Sequence, residues 1–406
     1  MKLRILSLCL FISIAACSPG GATAPATEPP APTTAPTGTS VPPTETPAAT
    51  PTSVAPAVLP APLLFLSNRS GSDQIWRLDV DGVTLMQLTN EAAPVTDFDA
   101  SPVDGRLAYV SDNDLIVANA DGSDRALLVD GPPQPTIDAP DRINTEMKQL
   151  RWSLDDARIA YGLNGVNLID AAGGEPVVLQ QSDPVPLPPD FQSEGPVKFY
   201  WPNVWSPDGS RLLIEFAYFP EGGGLSVLNL SDGSLFDLSS PEGIVCCNAS
   251  WATDGSAVYF ANPSPGLIAP GLWRASLGTD ADPTLIRGID GETFNLVGFA
   301  RQLNDGKLYY FFAQAPQGFP ESGYWPLSMY RADADGVTGQ TQLRDDAHIL
   351  GEALWASDGS GAVIVDAEES AQANVFPLTG PLLFLKSDGS PQLTLAGNGH
   401  MLRWGK

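Results

Sequence analysis

Beyond residue 61 the chain alternates short apolar runs with polar turns at a regular interval. The clearest turns begin at a tryptophan and carry an aspartate three residues later, with weaker copies at residues 100–105 and 303–306. The turn aspartates are Asp104, Asp155, Asp208, Asp254, Asp305 and Asp358, which lie 51, 53, 46, 51 and 53 residues apart. An interval near 50 residues indicates a radial array of repeated β units.

An apolar strand follows each turn, and the predicted strands cover residues 106–110, 158–161, 211–216, 257–260, 307–311 and 361–365. Their apolar residues are consecutive, which indicates that both strand faces are covered. A second strand then ends in a turn such as Asp81-Gly82, because Asp-Gly accommodates the positive φ of tight hairpins. Another strand follows this turn. With the strand that carries the tryptophan, each unit has four strands.

The two ends of the repeat complement each other. Residues 63–67 are a strand of the kind that follows the tryptophan turn, and residues 400–404 are a strand of the kind that precedes it. Pairing them within one blade closes the ring and removes two exposed sheet edges. The sequence therefore predicts an all-β fold over residues 62–406, a seven-bladed β-propeller of four-stranded antiparallel blades.

This repeat resembles that of TolB-like β-propellers, which are WD-repeat-like. The resemblance rests on the Trp-Ser-Pro-Asp-Gly turn at residues 205–209 and on residues 67–76, S-N-R-S-G-S-D-Q-I-W, followed by Leu88-Thr89. It implies the propeller fold for residues 62–406. TolB itself has six blades and an N-terminal α/β domain, so the resemblance implies the fold and not the role of TolB.

Residues 1–16 are typical of a signal peptide, with Lys2 and Arg4 ahead of an apolar run over residues 5–16. As a helix this run spans about 18 Å, too short to cross a bilayer. The ending Ala15-Ala16-Cys17 resembles the lipobox of bacterial lipoproteins, which implies cleavage before Cys17 and lipidation of its thiol. An ordinary secretory signal with an incidental cysteine is the alternative. We expect an extracytoplasmic protein, lipid-anchored to the bacterial cell membrane at the cell surface or in the periplasm.

Residues 17–61 contain the lipidated cysteine and a predicted disordered tether. Of residues 18–60, 31 are Pro, Thr or Ala, so the segment cannot bury enough apolar surface to fold. Residues 1–61 contain two basic and two acidic residues, which places the whole net charge of −26 in residues 62–406. This charge disfavours nucleic acid and anionic lipid as partners. The lipid is then the expected membrane contact.

The recurring aspartates predict turns rather than metal ligands. Residues 79–82 and 333–336 begin like calcium loops, but neither continues with the ligand spacing of an EF-hand. The chain has only two histidines, which argues against a His-rich metal site, and it has no Gly-x-Ser-x-Gly motif and no Gly-rich phosphate loop. We expect no metal, no cofactor and no catalysis.

Propellers bind ligands around their central channel, where one blade crosses to the next. Residues three or four positions before the repeated tryptophan are predicted to lie at one channel mouth. The candidate ligand-binding residues are Asp97, Lys148, Trp201, Asn248, Glu352 and His400. Their charges, amide and aromatic ring suit a glycan or a peptide. A solvated funnel that binds nothing is equally consistent with the pattern.

Cys246 and Cys247 fall at the same level and are the only thiols left after cleavage and lipidation. Adjacent cysteines in an oxidising compartment can form a vicinal disulfide, with free buried thiols or a redox role as alternatives. Insertions rich in proline and aromatic residues cover residues 131–146, 181–198, 262–271 and 313–327. They are predicted to be recognition surfaces or packed covers.

The sequence thus predicts a monomeric cell-envelope lipoprotein whose propeller is a non-enzymatic binding or scaffold module for a protein or glycan. The alternative is a propeller enzyme, a lyase or glycoside hydrolase, that uses channel carboxylates such as Asp97 and Glu352. Catalytic carboxyl pairs of glycosidases stand about 5–9.5 Å apart. A scaffold without a ligand would have no pocket at the channel mouth.

Overall fold

A computed structural model describes residues 57–185, 196–219, 222–238, 248–263, 269–277, 284–316, 324–367 and 378–406. Within these ranges the chain is built from antiparallel strands and one short helix, α1 (Arg142–Thr145). The signal peptide, Cys17, Cys246 and Cys247 lie outside the described residues. In the part of the chain that is described, no helix is long and apolar enough to cross a membrane.

The strands in chain order are β1 (Leu63–Ser67), β2 (Gln74–Leu78), β3 (Leu85–Gln87), β4 (Val95–Ala100), β5 (Leu107–Ser111), β6 (Asp114–Ala118), β7 (Ala126–Val129), β8 (Lys148–Trp152), β9 (Arg158–Gly162), β10 (Gly165–Asp170), β11 (Val177–Gln181), β12 (Val197–Trp205), β13 (Arg211–Phe219), β14 (Gly223–Asn229), β15 (Leu235–Leu238), β16 (Ser250–Trp251), β17 (Ala257–Asn262), β18 (Gly271–Ser276), β19 (Thr284–Arg287), β20 (Ile289–Asp290), β21 (Thr293–Gln302), β22 (Leu308–Pro316), β23 (Ser328–Ala332), β24 (Thr341–Gln342), β25 (Leu350–Trp355), β26 (Gly361–Asp366), β27 (Gly380–Lys386) and β28 (Leu393–Trp404).

These strands form seven blades of four strands. Blade II contains β4–β7, blade III β8–β11, blade IV β12–β15 and blade V β16–β19, while blade VI contains β21–β24 with β20 paired to the start of β21. A seven-stranded sheet supplies the other two: the start of β28 completes blade VII behind β25–β27, and its end begins blade I ahead of β1–β3. The predicted seven-bladed β-propeller is confirmed.

Ring closure occurs through β28, which runs through twelve residues from one blade into the next. Its first half pairs with β27, as in the register Phe384↔Leu393. Its second half pairs antiparallel with β1, with Leu63 opposite Trp404 and Leu64 opposite Arg403. The predicted pairing of the two chain ends within one blade is therefore confirmed, and it leaves neither terminal strand as an open edge.

The tryptophans at the ends of the inner strands join successive blades. Four indole Nε1–H groups donate hydrogen bonds to backbone oxygens of the preceding inner strand, namely Trp205 to Arg151 at 3.2 Å, Trp251 to Val204 at 3.2 Å, Trp355 to Phe299 at 2.7 Å and Trp404 to Trp355 at 2.8 Å. The Trp152 indole is equally buried, but its Nε1 has no acceptor among the described residues. These rings belong to the clusters that fill the space between blades, as Trp355 does with Tyr309 and Phe311.

The predicted turn aspartates are confirmed as turn residues. In the turn before β13, Asp208 Oδ1 accepts the backbone N–H of Ser210 at 3.0 Å and the hydroxyl of Ser206 at 2.6 Å. These hydrogen bonds favour the ionised carboxylate and lower the pKa of Asp208 to about 2. Gly209 follows with φ +68°, a conformation that glycine adopts without strain.

The packed part of the chain begins before residue 62. Val58 and Leu59 both donate their backbone N–H groups to the oxygen of Val80, at 2.6 and 3.0 Å. The Leu59 side chain is buried in the cluster that also contains Leu63 and Leu78. Residues 58–61, which composition assigns to the tether, thus lie against blade I at the end of the ring where the tryptophan turns are found.

Candidate functional site

The wall of the central channel is made by the seven inner strands, β4, β8, β12, β16, β21, β25 and the end of β28. Aligning the strands on their tryptophan positions gives two rings of residues. The ring one position before the tryptophan contains Asp99, Arg151, Val204, Ser250, Arg301, Leu354 and Arg403; the ring three positions before it contains Asp97, Gln149, Pro202, Asn248, Phe299, Glu352 and Met401. The first ring lies next to the turn end of the channel.

Three of the predicted site residues accept hydrogen bonds from backbone N–H groups of the next blade. Asp97 accepts a hydrogen bond from the Gln149 backbone N–H, Asn248 Oδ1 accepts that of Phe299 at 3.2 Å, and Glu352 Oε1 accepts that of Leu402 at 2.8 Å. Each bond therefore connects two inner strands that lie roughly 50 residues apart in the chain.

The donors of these bonds lie at irregular points of the inner strands. Gln149 and Phe299 have φ values of 58° and 53°, and Met401, beside Leu402, has 57°. The strand register shifts at the same places, which marks β-bulges. A bulge takes an N–H out of the ladder, and a buried N–H needs another acceptor. The side chain from the preceding blade supplies that acceptor.

Asp97 and Glu352 belong to a charged network across the channel. Arg403 Nε donates to Asp99 Oδ1 at 3.0 Å, and its Nη1 lies 3.9 Å from Glu352 Oε1. Burial raises the pKa of Asp97 and of Glu352, and nearby arginines, Arg151 and Arg403, oppose that rise in both cases. Glu352 thus has the Leu402 N–H and an ion pair with Arg403, whereas the hydrogen-bonded partner of Asp97 is the Gln149 N–H.

Lys148 and Trp201 come together at the end of the channel away from the tryptophan turns. The Lys148 ammonium lies over the Trp201 ring, 4.5 Å from its centroid. Burial lowers the pKa of Lys148, with Glu146 and Glu215 acting in the opposite direction. Trp201 is itself 8% exposed, so the pair is mostly covered by protein.

His400 occupies a different part of the wall. Its Nε2 lies 4.0 Å from Asp73 Oδ2, and burial lowers the pKa of the imidazole while Asp73 opposes that change. The six predicted residues therefore divide into separate groups in the described structure. Lys148 and Trp201 form one pair, Glu352 lies beside Arg403, Asp97 accepts the Gln149 N–H, and Asn248 and His400 have partners of their own.

A cleft of about 410 Å³ lies at the turn end of the channel. Residues from the tryptophan turns of several blades line it, among them Leu154, Pro207, Thr253, Asn304 and Ser357. Deeper in, Val204, Ser250 and Arg301 of the first ring also border the cleft. The site predicted from the sequence lies at the opposite mouth and does not include Arg301. The alignment of the inner strands, which puts three arginines at one level, is the signal that could have identified it.

Arg301 differs from the other two arginines of its ring. Arg403 pairs with Asp99, and Arg151 donates to the backbone oxygens of Asn203 and Leu150. The Arg301 guanidinium has no hydrogen bond or ion pair with any described residue. The residue is exposed, yet the surrounding wall still lowers the pKa of its guanidinium through desolvation.

In the ranges that the structure covers, no group of three or more His, Cys, Asp or Glu side chains converges. No candidate metal site is therefore found among those residues.

Comparisons with known proteins agree with this architecture. Residues 64–164 match the family described as the dipeptidyl peptidase IV N-terminal region. A search among curated proteins found no match.

Several solved structures are similar to the chain. An oligogalacturonate lyase from Vibrio parahaemolyticus has 13% identity and a TM-score of 0.50, covering 77% of this chain and 85% of the lyase. A prolyl endopeptidase has 10% identity and a TM-score of 0.52, covering 83% of this chain and 50% of the peptidase. TolB from Acinetobacter baumannii has 16% identity and a TM-score of 0.42, covering 84% and 82%. At such identities the likeness concerns the fold. Over the described residues, this chain has the β-propeller fold that these proteins share.

Proposed function

We propose that this protein is an extracytoplasmic, lipid-anchored binding module, and that its propeller recognises an envelope protein or glycan without catalysing a reaction. The observation that carries the proposal is the engagement of the channel carboxylates. Asp97 and Glu352 each accept a backbone N–H from the next blade and lie beside arginines. A catalytic acid or base must exchange protons with a substrate, and groups that hold the wall together are poorly suited to that task.

Anchoring is inferred from the sequence. The signal peptide and the Ala15-Ala16-Cys17 ending support lipidation of Cys17, and the proline-rich segment supports a tether between lipid and propeller. Metabolic labelling with a fatty acid tests this part of the proposal. The wild type should incorporate label and fractionate with membranes, and Cys17→Ser should lose both properties.

Binding is tested by crosslinking in intact cells that express the full chain, followed by purification and mass spectrometry. We expect a discrete envelope partner that is absent when the bait contains residues 1–61 alone, since that segment lacks the propeller. Capture by the tether alone, or no capture at all, would contradict the proposed function.

The enzyme alternative predicts a different result. Asp97→Asn and Glu352→Gln should lower the melting temperature if these groups support the wall, and the wild type should turn over neither polyuronates nor proline-containing peptides. Turnover in the wild type that disappears in either variant, with the melting temperature unchanged, would favour a lyase or hydrolase.

A further inference from the structure

We propose that Arg301 binds the carboxylate of a ligand with a short apolar body, in the cleft at the turn end of the channel. This inference rests on the proposed function, because it assigns a ligand chemistry to one end of the channel that the binding module would use. The ligand is either a small free acid or the carboxyl-terminal residue of a peptide chain.

The Arg301 guanidinium has no polar partner among the described residues. Among the described residues, Arg301 is the only one of the three channel arginines that contacts neither a carboxylate nor a backbone oxygen. A guanidinium offers five N–H donors in a planar fork that matches a carboxylate in bidentate geometry. A free guanidinium within a protein wall is therefore a ready site for that group.

The electrostatic setting of Arg301 also favours a bound carboxylate. The protein carries a net charge of −26, which repels anions in general. The acids of this channel level are already matched, because Asp99 accepts from Arg403 and from the backbone N–H of Trp152. Desolvation lowers the pKa of the Arg301 guanidinium, and no carboxylate among the described residues raises it again. An anion that binds in this cleft would give the desolvated guanidinium the opposite charge that it lacks.

The cleft combines apolar side chains with a few polar groups. Leu154, Val204 and Pro207 provide apolar contact, while Thr253 and Ser357 bring hydroxyl groups to its rim. About 410 Å³ is within the range of small-molecule sites, roughly 300–1,000 Å³. One charged anchor with an apolar wall suits a monocarboxylate of the size of an acylated amino acid. It does not suit a polar sugar acid, which would leave hydroxyl groups against Leu154 and Val204.

The probes for the test are N-acetyl-L-leucine and N-acetyl-L-leucinamide, which have the same shape and differ in the carboxylate. Binding to the full chain is followed by tryptophan fluorescence, because Trp205 and Trp251 border the cleft, and by calorimetry. We expect the acid to bind roughly tenfold to a hundredfold more tightly than the amide, the usual range for one charge-assisted contact.

Matched variants separate the site from general charge effects. Arg301→Gln should remove the preference for the acid, and Arg301→Lys should retain part of it. Arg125→Gln removes the same charge from the surface pair with Glu91 and should bind like the wild type. Circular dichroism confirms the fold of each variant. Equal binding of acid and amide, an unaffected Arg301→Gln variant, or an equal loss in Arg125→Gln would overturn the proposal.

Two further ligands identify the source of the carboxylate. A pentapeptide that ends in leucine, compared with its amidated form, should show the same dependence on Arg301. If it binds more tightly than N-acetyl-L-leucine, the ligand is a chain end, and if it binds more weakly, the ligand is a free acid. Galacturonate should bind poorly, and affinity equal to that of N-acetyl-L-leucine would refute the apolar part of the assignment.

The outcomes for the two proposals can be told apart. An envelope partner that crosslinks equally to the wild type and to Arg301→Gln would leave the proposed function intact and reject this site as its basis. Probes that bind through Arg301, in a protein that captures no partner, would support the site and reject the proposed function.

Discussion

The hydrogen bonds of the tryptophans make a matched comparison possible. Trp355 and Trp152 are both buried at the ends of inner strands, with 3% and 2% exposure. Trp355 Nε1–H donates to the Phe299 oxygen at 2.7 Å, whereas Trp152 Nε1 has no acceptor among the described residues. Replacing each by phenylalanine removes a similar area of ring, but only one of the changes breaks a hydrogen bond between blades.

The expected magnitudes follow from these contacts. Loss of part of the indole area costs about 1 kcal/mol at either site. At residue 355 the Phe299 oxygen is also left without its donor, which adds about 1–3 kcal/mol. At residue 152 the substitution removes a buried N–H that has no acceptor, and this stabilises the folded state by about 1 kcal/mol. The free energy of unfolding should therefore fall by roughly 2–4 kcal/mol in Trp355→Phe and by less than about 1 kcal/mol in Trp152→Phe.

Urea denaturation followed by far-ultraviolet circular dichroism measures the difference, since fluorescence would change with the loss of a tryptophan. The slope of the transition should be the same in both variants, because they expose similar surface on unfolding. Equal loss of stability in the two variants would refute the reasoning, since ring area alone would then account for both. A larger loss in Trp152→Phe would also contradict it.

Three further predictions concern the wall, the closure and the turns. Glu352→Ala should lower the free energy of unfolding by about 3 kcal/mol, because it leaves the Leu402 N–H without its acceptor and removes the carboxylate that lies 3.9 Å from Arg403. The exposed control Glu175→Ala should change it by less than about 0.5 kcal/mol, and similar values for the two variants in a denaturant titration would contradict the role of Glu352. Deleting residues 400–406 should abolish cooperative thermal unfolding, because β1 loses its pairing with the end of β28. An unchanged melting temperature would show that this closure does not stabilise the ring. Asp208→Ala should be more destabilising at pH 6 than at pH 2: the folded pKa of about 2 lies below the unfolded value, so the stabilisation is present above pH 4 and is lost as the pH falls towards 2. A destabilisation that does not change with pH would refute the turn assignment.

Much of the fold could be predicted from the sequence because its determinants are local. The Asp-Gly turns impose a backbone conformation within four residues, and the apolar runs beside them show which segments are buried strands. Repetition near 50 residues then determines the blade, and the complementary ends determine the count. Each of these signals is confirmed in β1, in β28 and in the turn at Asp208.

The candidate site was less predictable because its contacts connect residues that the sequence separates. Asp97 and Glu352 were predicted as ligand-binding residues at the channel mouth, but the bulges at Gln149 and Met401 that they support have no local signature. A side chain that looks free for a ligand in one strand can be needed by a backbone N–H of the next blade. Which role it takes depends on the register between two strands.

The sequence by itself thus determined the propeller, its seven blades, its closure and the turn aspartates that account for part of the acidity. Only the tertiary structure decided how the charges of the channel are paired. Arg403 meets Asp99 across 304 positions of the chain, while Arg301, at the same level of the ring, meets no acid among the described residues. The physical reason is that local propensity acts over a few residues, whereas charge pairing in a closed ring depends on which inner strands become neighbours.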